Sequence, residues 1–412
     1  MTARLFNTPG PSVYTLPPQS DFLREIATTL RDEFNAVADP DALTRLLILT
    51  PTRRAAKALG DVFADLAGNG VALLPLIRPI GDVDVDDPPF EPGELAGLAA
   101  PAISPERRRY ELARLILAKE KALSRPIGVG GALALADSLA ALLDDLATED
   151  VSDLSELQEA VTTYLPADRR EAVEFLEIVQ HIWPARLTEL GLTDGARRRS
   201  LVLHELVARW TRQAPDHPVL AVGSTGSIPA ARKLMGVIAG LEQGAVVLPG
   251  VDWDADDSAW DSIADDHPQW AMKTFLAEAG IDRKDLPAWP GAAEDHAAER
   301  RRRLIAEALR PADTTDAWLK RIAALKERFG ETFFAEGMEG LSLVEAPDEI
   351  SEARACALML RETLETPDET AILVTPDRML ARRVSAEMVR FGVRLDASGG
   401  AALSETPAGA LL

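Results

Sequence analysis

Leu46-Leu47-Ile48-Leu49-Thr50-Pro51-Thr52-Arg53-Arg54 is the stretch that most narrows what this chain can fold into. Four consecutive apolar residues bounded by a Thr-Pro turn predict a strand buried on both faces, as in a parallel sheet. After the turn the spacing becomes helical. Ala55, Ala56, Leu59, Val62, Phe63 and Leu66 make one apolar stripe, with Arg53, Arg54, Lys57 and Asp61 off it. A strand feeding a helix through a tight turn is half of a βαβ unit, and its turn lies at the carboxyl edge of the sheet, where such folds bind ligands. The device returns as Ala371-Ile372-Leu373-Val374-Thr375-Pro376-Asp377-Arg378, followed by Leu380, Val384, Met388 and Val389. That separation is too long for a solenoid repeat. The echo therefore predicts two related α/β domains in tandem.

The order of signals fills in the first domain. Val13 to Leu16 reads as a strand, with Ser20 or Asp21 as the cap of a helix carrying Phe22, Leu23, Ile26, Ala27 and Leu30. Leu76 to Ile80 is another short apolar segment, and Gly81 to Gly93 is an acidic, proline-rich surface loop or domain edge. From Ser104, a cap followed by Pro105, the pattern is almost entirely helical to Arg212. Strands resume at Pro218 to Val222 and Gly244 to Gly250, separated by Gly223-Ser224-Thr225-Gly226-Ser227 and a helix opened by Pro229. The expected plan is a first domain over 1–340, with strands within about 13–80 and 218–250. A helical insert at about 100–212 and a helical extension at about 267–335 belong to it. A second domain opens with the strand Leu341 to Glu345 and contains a helix over Ser351 to Leu364 and the strand echo. Two strands and two helices make an incomplete domain, so the chain reads as part of a longer protein.

Composition excludes several classes. Lys and Arg total 44 against 66 Asp and Glu, a formal net charge of −22. Such a surface repels phosphate on average and leaves room only for a local basic groove. One cysteine, Cys356, rules out a disulfide framework and an intramolecular cysteine-ligated metal site in this segment. No run approaches a membrane span or a secretory signal, so the expectation is a cytoplasmic protein with no membrane partner.

The residues that could carry chemistry are few. The glycines of Gly223 to Ser227 lie after a strand and before a helix, where backbone N–H groups can meet an anion. They equally fit a plain strand–helix turn. The loop is no P-loop, because the chain has no Gly-Lys pair. Asp252, Asp254 and Asp256 have calcium-loop spacing, but Asp257 stands at position six and Ile263 at position twelve. Asp82, Asp84 and Asp86 fail in the same way, and both clusters read as solvated acidic loops. His181, His204, His217, His267 and His296 show neither metal-ligand spacing nor a nucleophile partner. No Gly-x-Ser-x-Gly elbow is present. Asp282-Arg283-Lys284 lacks the upstream Pro-Asp strand of a nuclease centre. The basic runs Arg107 to Arg109, Arg197 to Arg199 and Arg300 to Arg303 read as solvated helix faces or as phosphate contacts.

Taken together, these pieces resemble a known family. The order is Thr-Pro-Thr-Arg-Arg, helical insert, Gly-Ser-Thr-Gly-Ser-Ile-Pro and Val-Val-Leu-Pro-Gly-Val-Asp. His267-Pro268-Gln269-Trp270, Leu343-Val344-Glu345-Ala346-Pro347 and the second strand echo follow. The chain resembles the N-terminal half of the AddB family, the B subunits of the bacterial AddAB helicase–nuclease, in their alphaproteobacterial form. The resemblance implies a UvrD-like helicase fold: two RecA-like parallel-sheet domains with a large helical insert, the second domain incomplete here. It puts Pro17-Pro18-Gln19-Ser20 at the phosphate-loop position, and Leu201 to Leu206 in the interval where an Asp-Glu-x-Gln box belongs. Gly223 to Ser227 then stands at a Gly-Asp-x-x-Gln motif without its Asp and Gln, and Val374-Thr375 at a γ-phosphate arginine. Loss of all four implies no ATP hydrolysis and no cofactor in this segment. Thr50, Thr52, Arg53 and Arg54 match a motif that touches the DNA backbone in such helicases. Gly223, Ser224 and Thr225, at the same sheet edge, join them as the expected DNA site. The implied partners are DNA ends or single strands and an AddA-type motor subunit, acting in double-strand-break resection, with no catalytic or metal residues in this chain. The competing reading is a phosphate- or nucleotide-binding α/β enzyme that uses Gly223 to Ser227.

Overall fold

The computed structural model describes residues 4–6, 10–39, 41–67, 73–80, 100–119, 127–151, 154, 176–292, 296–398 and 409. The expected loop at 81–93 and parts of the helical stretch expected from Ser104 to Arg212 lie outside the described residues. Two compact units divide the chain, Met1–Gly337 and Met338–Leu412.

Unit 1 is built on a parallel sheet of five strands. They are β1 (Val13–Leu16), β2 (Leu47–Thr50), β3 (Leu76–Pro79), β4 (Val219–Val222) and β5 (Gly244–Pro249), in the order β1-β5-β4-β2-β3. All pairings are parallel; Leu47 faces Val219 and Leu76, and Val13 faces Val246. The short apolar runs are strands because both their faces are covered. Tyr14, Leu16, Ile48, Leu220, Val222, Ala245 and Val247 bury against α1 (Phe22–Glu33) and α2 (Arg53–Leu66). Their neighbours Val13, Leu47, Leu49, Val219, Ala221, Val246 and Leu248 point the other way. They pack on helices that follow later in the chain. The result is three layers, helix on sheet on helix. The edge beside β1 is closed by the chain itself: Thr15 N–H donates to Pro287 O, and Trp289 N–H to Thr15 O. An edge so paired offers no free ladder to another chain.

Between β3 and β4 comes a helical insert with a core of its own. It holds α3 (Pro105–Ala118) and α4 (Val129–Thr148), then a π-helical turn at Ile178–Ile182 and α5 (Trp183–Leu190). Pro184 explains the π turn, since it cannot donate to the carbonyl four residues back and its ring crowds that carbonyl. α6 (Gly195–Arg212) leads back to the sheet and packs Val202, Leu203, Leu206 and Trp210 onto it. α7 (Pro229–Ala239) joins β4 to β5. Beyond β5 lie α8 (Asp257–Asp261), α9 (Trp270–Glu278), α10 (His296–Ala308), α11 (Trp318–Phe329) and α12 (Phe333–Gly337).

Unit 2 contains α13 (Glu349–Thr363) and α14 (Arg378–Val389), which pack through Ala353, Ala357, Leu380, Val384 and Met388. The two strands expected in it are not formed. Leu341 to Glu345 and Ala371 to Val374 carry no ladder, and Leu343, Ile372 and Val374 stand in solvent. A strand exists only through hydrogen bonds to a neighbour, and among the described residues neither segment has one. No described helix in either unit is long and apolar enough to cross a membrane.

Candidate nucleic-acid interface

The sheet order creates a crevice between β2 and β4. From β2 the chain moves outward to β3, and from β4 it moves the opposite way to β5, while β2 and β4 are neighbours. Their helices, α2 and α7, leave to opposite faces, so the carboxyl ends of β2 and β4 flank a topological switch point. Thr50 to Arg54 follow β2 and Gly223 to Ser227 follow β4. These turns touch: a Cβ on Gly223 would lie 3.8 Å from Pro51 Cδ and 3.3 Å from Phe22 Cε1. Gly223 has φ +76°, which a side chain would strain.

Within this crevice the expected residues divide by role. Thr50 is 1% exposed, and its hydroxyl donates to Thr52 O at 3.2 Å. It braces the turn from inside. The Thr52 hydroxyl oxygen accepts the N–H of Ala55 at 3.1 Å and caps α2. Arg53 and Arg54 are exposed on the first turn of that helix. On the facing turn, Gly223 N–H donates to Val247 O at 2.9 Å, and Gly226 N–H to the Ser224 hydroxyl at 3.4 Å. Arg232 holds the turn from below, donating to Gly226 O at 2.9 Å while pairing with Glu278. Two of the loop's N–H groups are thus used by the protein, which favours the plain-turn reading of these glycines. Ser224 and Thr225 are half-buried at the rim.

The neighbouring turns are filled by the chain. Asp21 caps α1, its carboxylate accepting the Arg24 N–H at 3.3 Å, so a negative group already stands at that helix N-terminus. Gly250, at φ +65°, lies against Pro18; a Cβ there would come within 2.8 Å of the proline ring. The Gln269 side chain clips the loop after β5, donating to Gly250 O and accepting from Asp252 N–H. His267 orders that residue in turn, accepting the Gln269 N–H at Nδ1 and facing Leu309 O with Nε2. The sequence showed the His-Pro-Gln-Trp string without its purpose; only the partners reveal a clasp.

The acidic stretch after β5 corrects the expectation of a solvated loop. Asp254 is bound by Arg302 at 2.6 Å and Arg303 at 3.0 Å, and Asp256 by Arg310 at 2.6 Å. Asp257 pairs with Arg283 and Lys284. The Arg310 guanidinium holds the Asp256 carboxyl below the usual carboxylate range, and Lys284 does the same for Asp257. Burial pushes Asp252 up instead, against the N–H groups of Asp254 and Ala255. Among the described residues no group of His, Cys, Asp or Glu is placed to hold a metal ion. The Arg300 to Arg303 run is likewise internal: Arg300 pairs with Glu336, Arg301 donates to Gly337 O, and Arg303 lies over the Phe329 ring. Arg108 is buried on Asp194 and Asp144, and Arg109 pairs with Asp137. These basic runs serve mainly to join helices.

No known family model matches the chain, and no curated protein matches it. The described residues form an α/β protein with a five-stranded parallel sheet, flanked by helices and carrying a helical insert, an arrangement consistent with a RecA-like fold.

Proposed function

We propose that this chain is a catalytically silent, helicase-like subunit that holds DNA at the carboxyl edge of its sheet beside a motor partner. In this reading it works as AddB-type proteins do, within a helicase–nuclease that resects broken ends. What supports it is the switch-point crevice, where Pro51, just before Thr52, Arg53 and Arg54, lies against Gly223 of the Gly223 to Ser227 turn, while Pro17 to Asp21 stand where the resemblance puts a phosphate loop. A nucleotide triphosphate needs a lysine and Mg²⁺ ligands at that place. Here a proline turn and a capping carboxylate stand instead, so ATP hydrolysis is assigned to the partner. On a protein of charge −22, DNA contact must be local. Two exposed arginines on the first turn of α2 supply such a patch, and phosphate contact needs no further sequence code.

The test is the double substitution Arg53→Ala with Arg54→Ala in the complete complex. Single-strand affinity should fall uniformly across sequences, and the salt slope should flatten by roughly two units. Unchanged affinity and slope would reject the site. Purified chain should show no DNA-stimulated ATPase. Saturable nucleotide binding that is lost on altering Gly223 to Ser227 would favour the small-molecule reading instead.

A further inference from the structure

The insert and the sheet have separate cores, and α6 is the beam between them. Its second half, Val202 to Trp210, packs on the sheet. Its first half belongs to the insert: Asp194, just before it, accepts from Trp183 Nε1 at 2.7 Å and binds Arg108 at 2.8 Å, and the Ser200 hydroxyl donates to Ala147 O at 2.8 Å. With 18 residues α6 is about 27 Å long, against about 13 Å for the four residues of β4. The short link 213–218 makes the two run antiparallel, so the first turns of α6 reach past the carboxyl edge and carry the insert there. A body mounted on one helix can bend about it unless something else ties it down.

Asp150 is placed to be that tie. It follows the end of α4 in left-handed backbone, φ +59°, a conformation costly for residues other than glycine, asparagine or aspartate. Its carboxylate receives Lys233 Nζ of α7 at 3.0 Å and His204 Nε2 of α6 at 3.0 Å, with Arg197 Nη1 of α6 at 4.0 Å. One carboxylate from the insert thus meets the Lys233 ammonium on α7 and, on α6, the His204 imidazole and the Arg197 guanidinium. Lys233 is the member that reaches beyond α6 itself. We propose that Asp150 is an electrostatic latch that holds the helical insert against the sheet layer, and that its release lets the insert swing on the first half of α6 with both cores intact. The latch sets how far the insert stands from the carboxyl-edge crevice, and it does not depend on what that crevice binds. Burial works to raise the Asp150 carboxyl, and the hydrogen bonds from Lys233 and His204 outweigh it, so the group stays below the usual carboxylate range and charged. Half-exposed Lys233 leaves the pair open to screening, whose length falls to about 3 Å at 1 M salt.

The experiment places spin labels at Ser138→Cys on α4 and Glu242→Cys after α7, with Cys356→Ser, in the full chain. Pulsed dipolar spectroscopy should give one short distance in this parent at low salt. Asp150→Asn keeps the shape and the left-handed backbone while removing the charge; Lys233→Met keeps the aliphatic stem. Each should add a second, longer distance, and so should the parent in molar salt, all with unchanged near-ultraviolet dichroism from Trp183 and Trp210. The salt titration carries the test should Asp150→Asn fail to fold. A distance distribution unmoved by either variant and by salt overturns the latch. So does a longer distance that appears only together with loss of the tryptophan dichroism, because then a core has melted and nothing has swung.

Discussion

Leu47 to Phe63 and Ile372 to Met388 are two versions of one local sentence with different outcomes. Both run apolar residues into Thr-Pro, a polar cap and an arginine-led helix. Both helices form. Thr52 accepts the N–H of Ala55 and Asp377 that of Met379, and both bury residues one turn apart: Leu59 and Phe63 in one, Leu380, Val384 and Met388 in the other. The strands part company. β2 has β4 and β3 beside it and is buried along its whole length, whereas Ile372 is 85% and Val374 88% exposed with no ladder. Leu373, between them, still packs toward the helices, so the alternation of a strand survives without the sheet. Caps and helices need only nearby residues; a strand needs a neighbour that the local sequence does not name.

That contrast predicts the largest mutational difference. Ile48→Ala should cost unit 1 about 2–5 kcal/mol, because a fully buried side chain leaves a cavity between two packed layers. Ile372→Ala should change stability by no more than about 0.5 kcal/mol. All seven tryptophans precede Met338, so denaturant titration followed by their fluorescence reads unit 1, and far-ultraviolet dichroism adds unit 2. Equal costs at the two sites would erase the distinction between paired and unpaired strand.

The caps should behave alike where the strands do not. Thr52→Ala and Asp377→Ala should each remove about 1 kcal/mol of helix stability. A much larger loss at Thr52 alone would mean that the turn beneath it, braced by the Thr50 hydroxyl, fails with the cap.

Acid should produce a smaller and more local difference. The Ser351 N–H holds the Asp348 carboxyl below its ordinary range at the start of α13, and Arg186 holds Glu111 low in the insert. For groups depressed by folding, the contribution is present above the unfolded pKa, near 3.9 for Asp and 4.3 for Glu, and is lost as pH falls through the lower folded value. Stability should therefore decline below about pH 4 in both units. Asp348→Ala should remove the acid dependence of α13 without altering that of the insert, which carboxyl NMR titration would resolve. Asp194 has the opposite sign: burial raises its pKa despite Arg108, so its contribution weakens as pH rises from the unfolded to the folded value.

Much of the candidate crevice was legible beforehand, because its parts are local. Thr-Pro-Thr before an apolar stripe announces a strand end and a cap, and glycines at 223 and 226 announce turns that need positive φ. What could not be read was how those parts would be used. Thr50 turned inward, and the two glycine N–H groups found partners in Val247 and Ser224. Asp254 with Arg302, and Asp150 with Lys233, were hidden for another reason. Their partners lie 48 and 83 residues away, and a charge in sequence carries no mark of the opposite charge it will meet.

From its own residues, then, the chain determines the strands' apolar runs, the helix stripes, the caps and the acidic balance, all properties of neighbours within a turn or a pleat. Tertiary structure alone decided that β2 would lie between β4 and β3 and that Arg302 and Arg303 would be consumed by the acidic loop after β5. It likewise left the second Ile-Leu-Val run without a sheet among the described residues. The physical reason is the range of the forces. Backbone dihedrals and capping bonds act over about four residues, while sheet pairing and buried ion pairs depend on closing long loops, whose partners are chosen only when the whole core assembles.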